Sequence, residues 1–108
     1  MITLVALLTL VSPVDHTVLG YVQPNGTIEN ATHAVIGWLR RTEREWVVES
    51  KNHAVLGYVQ FDGTVQDAGR RIRGRLRANV FEDASGRVER RFRPPQDFAA
   101  QITAVFFF

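Results

Sequence analysis

Between residues 18 and 77, apolar and polar side chains alternate in short runs, each broken by a turn-forming group. The period is two, so these runs predict strands and not helices. Residues 18–23 and 27–29 flank Pro24-Asn25-Gly26, and residues 55–60 and 64–66 flank Phe61-Asp62-Gly63. Asn-Gly and Asp-Gly readily take the positive φ that a tight hairpin turn demands, so each stretch reads as a hairpin. A third hairpin is predicted around the polar turn 41–44, with residues 45–49 as its second strand. A fourth starts at Arg70, with Ser85-Gly86 as its expected turn before a strand at 87–92. The pattern therefore predicts an all-β chain of four consecutive β-hairpins joined by short polar links.

The hairpins are copies of one another. Residues 16–31 recur as residues 53–68, with most positions identical and the differences mostly conservative. His33-Ala-Val-Ile-Gly-Trp-Leu-Arg40 is a weaker copy, and Arg70-Arg-Ile-Arg-Gly-Arg-Leu-Arg77 a more diverged one. A repeat this short and this rich in Val, Ile, Tyr and Thr is one β unit, too small to be helical. Alignment brings Gly20, Gly37, Gly57 and Gly74 into register. Mid-strand glycine weakens a strand, so the backbone must be approached closely there, by a neighbouring unit or by a bulky side chain. The glycines share a face with Val18/Val22, Val35/Leu39, Val55/Val59 and Ile72/Leu76, which is the expected core face. The opposite face carries Tyr21, Trp38 and Tyr58 in the first three units and Arg73, Arg75 and Arg77 in the fourth.

Repeated hairpins with a Gly-Tyr/Trp-Val/Leu strand, an Asn/Asp-Gly-Thr turn and a polar link resemble the β-flower proteins. The resemblance covers residues 15–92. It implies four or five hairpins around a pseudo-symmetry axis and implies no biochemical activity. The fourth unit departs from the motif, having no Asn/Asp-Gly at the expected place.

The length suits a single domain, with the repeats at 15–93 flanked by apolar segments at 1–14 and 94–108. Residues 2–11 and 102–108 are apolar on both faces of any regular element. The first lacks the positive charge and small-residue cleavage site of a signal peptide, so the preferred reading is a buried strand, paired with the other segment. Three consecutive residues of a strand point to both of its faces. Phe106, Phe107 and Phe108 are therefore expected to meet, in part, another chain or another apolar phase.

Charge sharpens this picture. Residues 1–69 have a balance of −3 and residues 70–108 a balance of +5, and twelve of the thirteen basic residues are Arg. Arg71, Arg73, Arg75 and Arg77 alternate along one predicted strand, and Arg87, Glu89, Arg91 and Arg93 along its expected partner. Such a face offers point charges and bidentate donors to an anion.

Catalytic patterns are not found. The absence of cysteine excludes thiolate chemistry, and there is neither a phosphate-binding glycine loop nor a zinc-protease motif. His16, His33 and His53 occupy one repeat position; three imidazoles can ligate a metal, but duplication alone explains their spacing, so no metal or cofactor is expected. Tyr21, Trp38 and Tyr58 are read as packing on adjacent units, and two Asn-x-Thr sequons at Asn25 and Asn30 lie in or beside turns.

The function expected is a non-catalytic accessory subunit. It would dock on a protein partner or its own copies through the apolar termini, with Arg71, Arg73, Arg75, Arg77, Arg91 and Arg93 facing acidic or anionic matter. A membrane surface is a further candidate, and nucleic-acid binding by the same Arg strands is the alternative. No small-molecule substrate is implied.

Overall fold

The computed structural model describes residues 8–11, 18–92 and 98–108. Ten strands follow one another: β1 (Leu8–Val11), β2 (Val18–Val22), β3 (Thr27–Asn30), β4 (Val35–Arg41), β5 (Glu45–Ser50), β6 (Val55–Gln60), β7 (Thr64–Asp67), β8 (Ile72–Arg77), β9 (Val80–Asp83) and β10 (Val88–Arg91). Every strand pairs antiparallel with its sequence neighbours, giving one sheet in strictly consecutive order. A helix, α1 (Phe98–Phe107), completes the chain.

The repeat unit is one hairpin plus one link. The links at Asn30, Ser50, Asp67 and Asp83 are built alike. In each, the side-chain oxygen of the first residue accepts two backbone N–H bonds, from positions two and four further on. The residue three further on is left-handed: φ is 66° at His33 and His53, 70° at Arg70 and 88° at Gly86. This is the turn-plus-bulge geometry of short hairpin loops, which requires one positive φ.

The fourth unit corrects the expected boundaries. Its hairpin turn is Ala78-Asn79, both left-handed, with β9 as the second strand. Ser85-Gly86 belongs to the following link, and β10 pairs with β9, not with β8. Nothing in the local pattern marks Ala78 as a turn, whereas Ser-Gly is a strong turn signal. The stronger signal belonged to the link.

β10 is then the first strand of a fifth unit. Its Val88, Arg90 and Phe92 stand where β8 and its predecessors have Ile72, Gly74 and Leu76. β1 occupies the place of a second strand, pairing Leu10 with Gly20 just as β3 pairs Ile28 with Gly37, each followed by a bulge. The N-terminal apolar stretch thus contributes a strand, as expected, but it pairs with β2 and not with the C-terminal segment.

That segment is helical. Residues 99–104 are all buried, and six consecutive positions cover every side of a helix. The helix is therefore enclosed. It touches β1 and β2 at one sheet edge, and its Ala104 carbonyl accepts a bond from Arg90 Nη1 on β10 at the other, 2.8 Å away. A flat sheet of ten strands would be about 43 Å wide; the whole molecule measures 35 × 31 × 24 Å. The sheet curls round the helix. Its inner layer is Val22, Ile28, Leu39, Val48, Val59, Val65, Leu76, Phe81 and Phe92, packed on Ala99, Ala100, Ile102 and Ala104.

Each repeated glycine faces a carbonyl of the adjacent strand, that of Glu29, Glu49, Gln66 or Glu82, and three of the four also face a terminal Phe ring. A Cβ built on Gly20 would lie 2.6 Å from the Phe108 ring, one on Gly57 would lie 2.6 Å from the Phe106 ring, and one on Gly37 would press on the Phe107 ring. Successive residues of a helix point about 100° apart. Three consecutive rings therefore reach three different units, which no strand could arrange. The expectation that they point to the two faces of a strand is corrected, because the segment is helical. At Gly74 the close neighbours are the backbone of Glu82 and Asp83, the counterpart of the carbonyls at the other three.

Candidate docking face

Because neighbouring strands are antiparallel, β2, β4, β6, β8 and β10 all run the same way. Their first residues lie together at one end of the curled sheet, the end that carries the four links. Those residues are Val18, Val35, Val55, Ile72 and Val88. All five are β-branched aliphatics two positions before the glycine or its Arg90 equivalent. A bulge turns Val35, Val55, Ile72 and Val88 out of the core, opposite Glu29, Glu49, Gln66 and Glu82, while Leu19, Ile36 and Leu56 pack inward. The five are accordingly poorly covered: Val18 is 38% exposed, Val35 37%, Ile72 60% and Val88 40%, with Val55 half-buried. Four of the five large hydrophobics exposed among the described residues are on this rim; the fifth is Phe61. Phe106, Phe107 and Phe108 lie on the other face of the sheet, half-buried over their glycines. One end of the molecule thus carries a row of exposed aliphatics on its outer face.

Basic residues border the most exposed sector. Arg71 and Arg87 directly precede Ile72 and Val88, and both are exposed. The Arg73 guanidinium lies 5.4 Å from the Phe106 ring centre. Arg75 and Arg77 continue along the outer face of β8, also exposed. Arg91 is exposed on β10, but β9 separates it from β8 and places Glu82 opposite Arg75. Arg77 approaches the same carboxylate at 3.9 Å. The two Arg rows therefore do not adjoin as expected, because the partner strand of β8 is the acid-bearing β9. Arg93 lies outside the described residues. Arg90, overlooked in the sequence, points inward; its bond to Ala104 satisfies a carbonyl at the helix end and favours the dipole there.

A second cluster repeats along the outer face. Tyr21 stacks on His33 at 4.2 Å, Trp38 stacks on His53 at 5.0 Å, and the Arg70 guanidinium lies 3.7 Å over Tyr58. His33 Nδ1 donates to Glu29 at 2.8 Å, His53 Nδ1 donates to Glu49 at 3.1 Å, and Arg70 donates to Glu45 at 2.7 and 2.8 Å. Tyr21, Trp38 and Tyr58 pack against the next link, as the sequence suggested, and His33 and His53 are each committed to a glutamate of their own. His16 lies outside the described residues, among which no group of three His, Asp or Glu side chains is arranged to hold a metal ion.

Hydrogen bonds hold the glutamates ionised. The His33 bond, then the Gln23 bond, lowers the Glu29 pKa. The Arg70 bond does most to lower that of Glu45. Burial raises that of Glu49, but bonds from Arg40 and His53 together outweigh it and bring it down. An open cleft of about 360 Å³ adjoins this cluster, lined by Asn25, Trp38, Leu39, Arg40, Glu49 and His53. Both Glu49 oxygens are already bonded, one to Arg40 and one to His53. The buried Trp38 Nε1 has no partner among the described residues.

Comparison with known proteins returned no match: no family model, no curated protein and no solved structure aligns significantly with this chain. The rim was legible in principle, since the aligned first-strand positions all carry Val or Ile. Its exposure was not, because alternation alone assigns those residues to the core.

Proposed function

We propose that this chain is a non-catalytic docking module, an accessory piece that attaches to a larger assembly through its apolar end. The observation that carries this is the rim: four of its five equivalent aliphatics remain exposed on one side of the molecule. Single exposed hydrophobics are ordinary, but a set repeated at the same end of five like strands marks an interaction surface. Covering each exposed aliphatic is worth about 1 kcal/mol, half of the full burial of such a side chain. The finer arrangement we infer is that of a β-flower, with the helix on the pseudo-symmetry axis. Phe106, Phe107 and Phe108, at the end of the helix, meet three consecutive units and support it. The Phe residues serve the fold and are not a free tail, because their rings fill notches in their own sheet.

Removing the tail would therefore test folding and not docking. The informative change is Ile72→Thr/Val88→Thr, which keeps β-branched side chains at exposed strand positions. The variant is expected to bind a hydrophobic dye more weakly than the parent and to elute earlier from a hydrophobic column, with an unchanged circular dichroism spectrum. Equal dye binding and equal retention would end the proposal.

Binding of nucleic acid through Arg71, Arg73, Arg75 and Arg77 is the second reading, supported by the joint exposure of these side chains. Against it, the outer-face aromatics Tyr21, Trp38 and Tyr58 are already stacked on His33, His53 and Arg70, so they offer no platform to bases. Phosphate binding weakens steeply with salt, whereas apolar docking does not.

A further inference from the structure

We infer that the cleft beside Trp38 is a binding site for a carboxylate, and that the third hairpin shows how such a group is held. This does not depend on the docking reading. Register aligns the outer faces of the second and third hairpins position by position. Across β3 and β4, Thr27 lies opposite Trp38, and the same register carries Asn25 to Arg40; across β5 and β6, Val47 lies opposite Tyr58 and Glu45 opposite Gln60. Asn25 therefore stands where Glu45 does, and His53 where Arg70 does. At the third hairpin this place is filled by the chain itself. The Glu45 carboxylate accepts Gln60 Nε2–H at 2.7 Å and the Arg70 guanidinium at 2.7 and 2.8 Å, beside the Tyr58 ring that Arg70 covers. At the second, Asn25 is shorter by a methylene and uncharged, and an open cleft of about 360 Å³ lies between it, Trp38, Arg40 and His53. The acid of this hairpin, Glu49, holds the Gln66 position instead, where Arg40 and His53 grip it.

The walls are rich in donors. Arg40 gives Glu49 its Nη2, and the rest of the guanidinium stays available. Asn25 Oδ1 accepts the Thr27 N–H, which leaves its amide N–H groups for a ligand. The Trp38 ring lines the cleft, and its buried Nε1–H has no acceptor among the described residues. A buried donor is stabilised by an acceptor that reaches it, and a guanidinium prefers a planar carboxylate, which takes two parallel N–H bonds. A doubly charged phosphate fits less well, because the Glu49 carboxylate in the wall repels the second charge. Arg40 and His53 are both exposed, so the group enters from solvent with no rearrangement. Its source is a small organic acid or an acidic side chain of a peptide.

The test follows the indole N–H signals of the full chain by heteronuclear NMR, that of Trp38 being the one missing from Trp38→Phe. Sodium propionate, which copies the end of a Glu side chain, should move this signal saturably; propionamide and sodium chloride should not. Arg40→Gln supplies the side chain that Gln23 and Gln60 provide in the neighbouring hairpins. It should weaken the response about tenfold or more through the lost charge-assisted bonds. Asn25→Glu should bring the signal near its propionate-bound position with nothing added, and abolish the response. A capped Gly-Glu-Gly peptide separates the sources: tighter binding than propionate assigns an acidic peptide, and equal or weaker binding a free acid. No saturable shift with either probe overturns the inference, as does an equal shift with propionamide or chloride. So does a propionate response that Arg40→Gln leaves unchanged. If Asn25→Glu does not fold, the Arg40→Gln comparison still decides.

Discussion

At the residue scale, the repeated histidine is held by three separate demands. Its backbone must be left-handed to close the link, with φ 66° at both His33 and His53. Its ring must cover an aromatic on the first strand of the preceding hairpin, and its Nδ1 must reach a glutamate. Gly86, at the same place in the last link, meets only the first. His53→Gly should therefore relieve about 1 kcal/mol of backbone strain while losing a stack of similar size. Its stability in urea should stay within about 1 kcal/mol of the parent. His53→Val combines the lost stack with a β-branched side chain at positive φ, and should cost about 2 kcal/mol or more. A valine variant as stable as the glycine one would show that the turn does not constrain this residue.

At the element scale, α1 and the sheet are two halves of one fit. A helix of ten residues is too short to be stable alone in water, and it persists because the sheet encloses it. The glycine notches admit its rings so closely that a single methyl group has no room. Gly57→Ala would press a Cβ on the Phe106 ring and on the Gln66 carbonyl, and should cost about 2–3 kcal/mol. Combined with Phe106→Leu, the loss should be smaller than the sum, with a coupling of about 1 kcal/mol. Chemical denaturation of the four species measures this. Strict additivity would mean that ring and glycine do not meet.

At the scale of the whole molecule, the outer face is stabilised by carboxylates that folding keeps ionised. The pKa values of Glu29, Glu45, Glu49, Asp62 and Asp83 all fall below their ordinary values of 4.5 and 3.8. For Asp62 the largest cause is the Thr64 backbone N–H, and for Asp83 the Ser85 hydroxyl. A depressed carboxylate contributes its full stability above the unfolded value and loses it as pH falls through the folded one. The urea midpoint should accordingly hold near neutrality and drop from about pH 4.5 downward. Glu45→Gln, which removes the acid that Arg70 grips, should lower the neutral midpoint and flatten the acid limb. An acid limb as steep in this variant as in the parent would assign the loss to other groups.

Period-two alternation, the Asn-Gly and Asp-Gly turns and the duplicated segment determined the hairpins, their order and the core face. They could do so because each depends on residues only a few positions apart. Even the meaning of the glycines was half legible: aligned notches demand a bulky neighbour. Which neighbour was beyond reach, since the notches of residues 20–57 are filled by residues 106–108. A run apolar on every side, such as 102–108, has no period, so strand and helix predict the same burial and only the surrounding sheet selects between them. Pairing across the fourth unit, the inward Arg90 and the stacks on His33 and His53 likewise depend on register and curvature. So does the exposed rim, where a bulge in each pair turns the first residue of the strand out of the core.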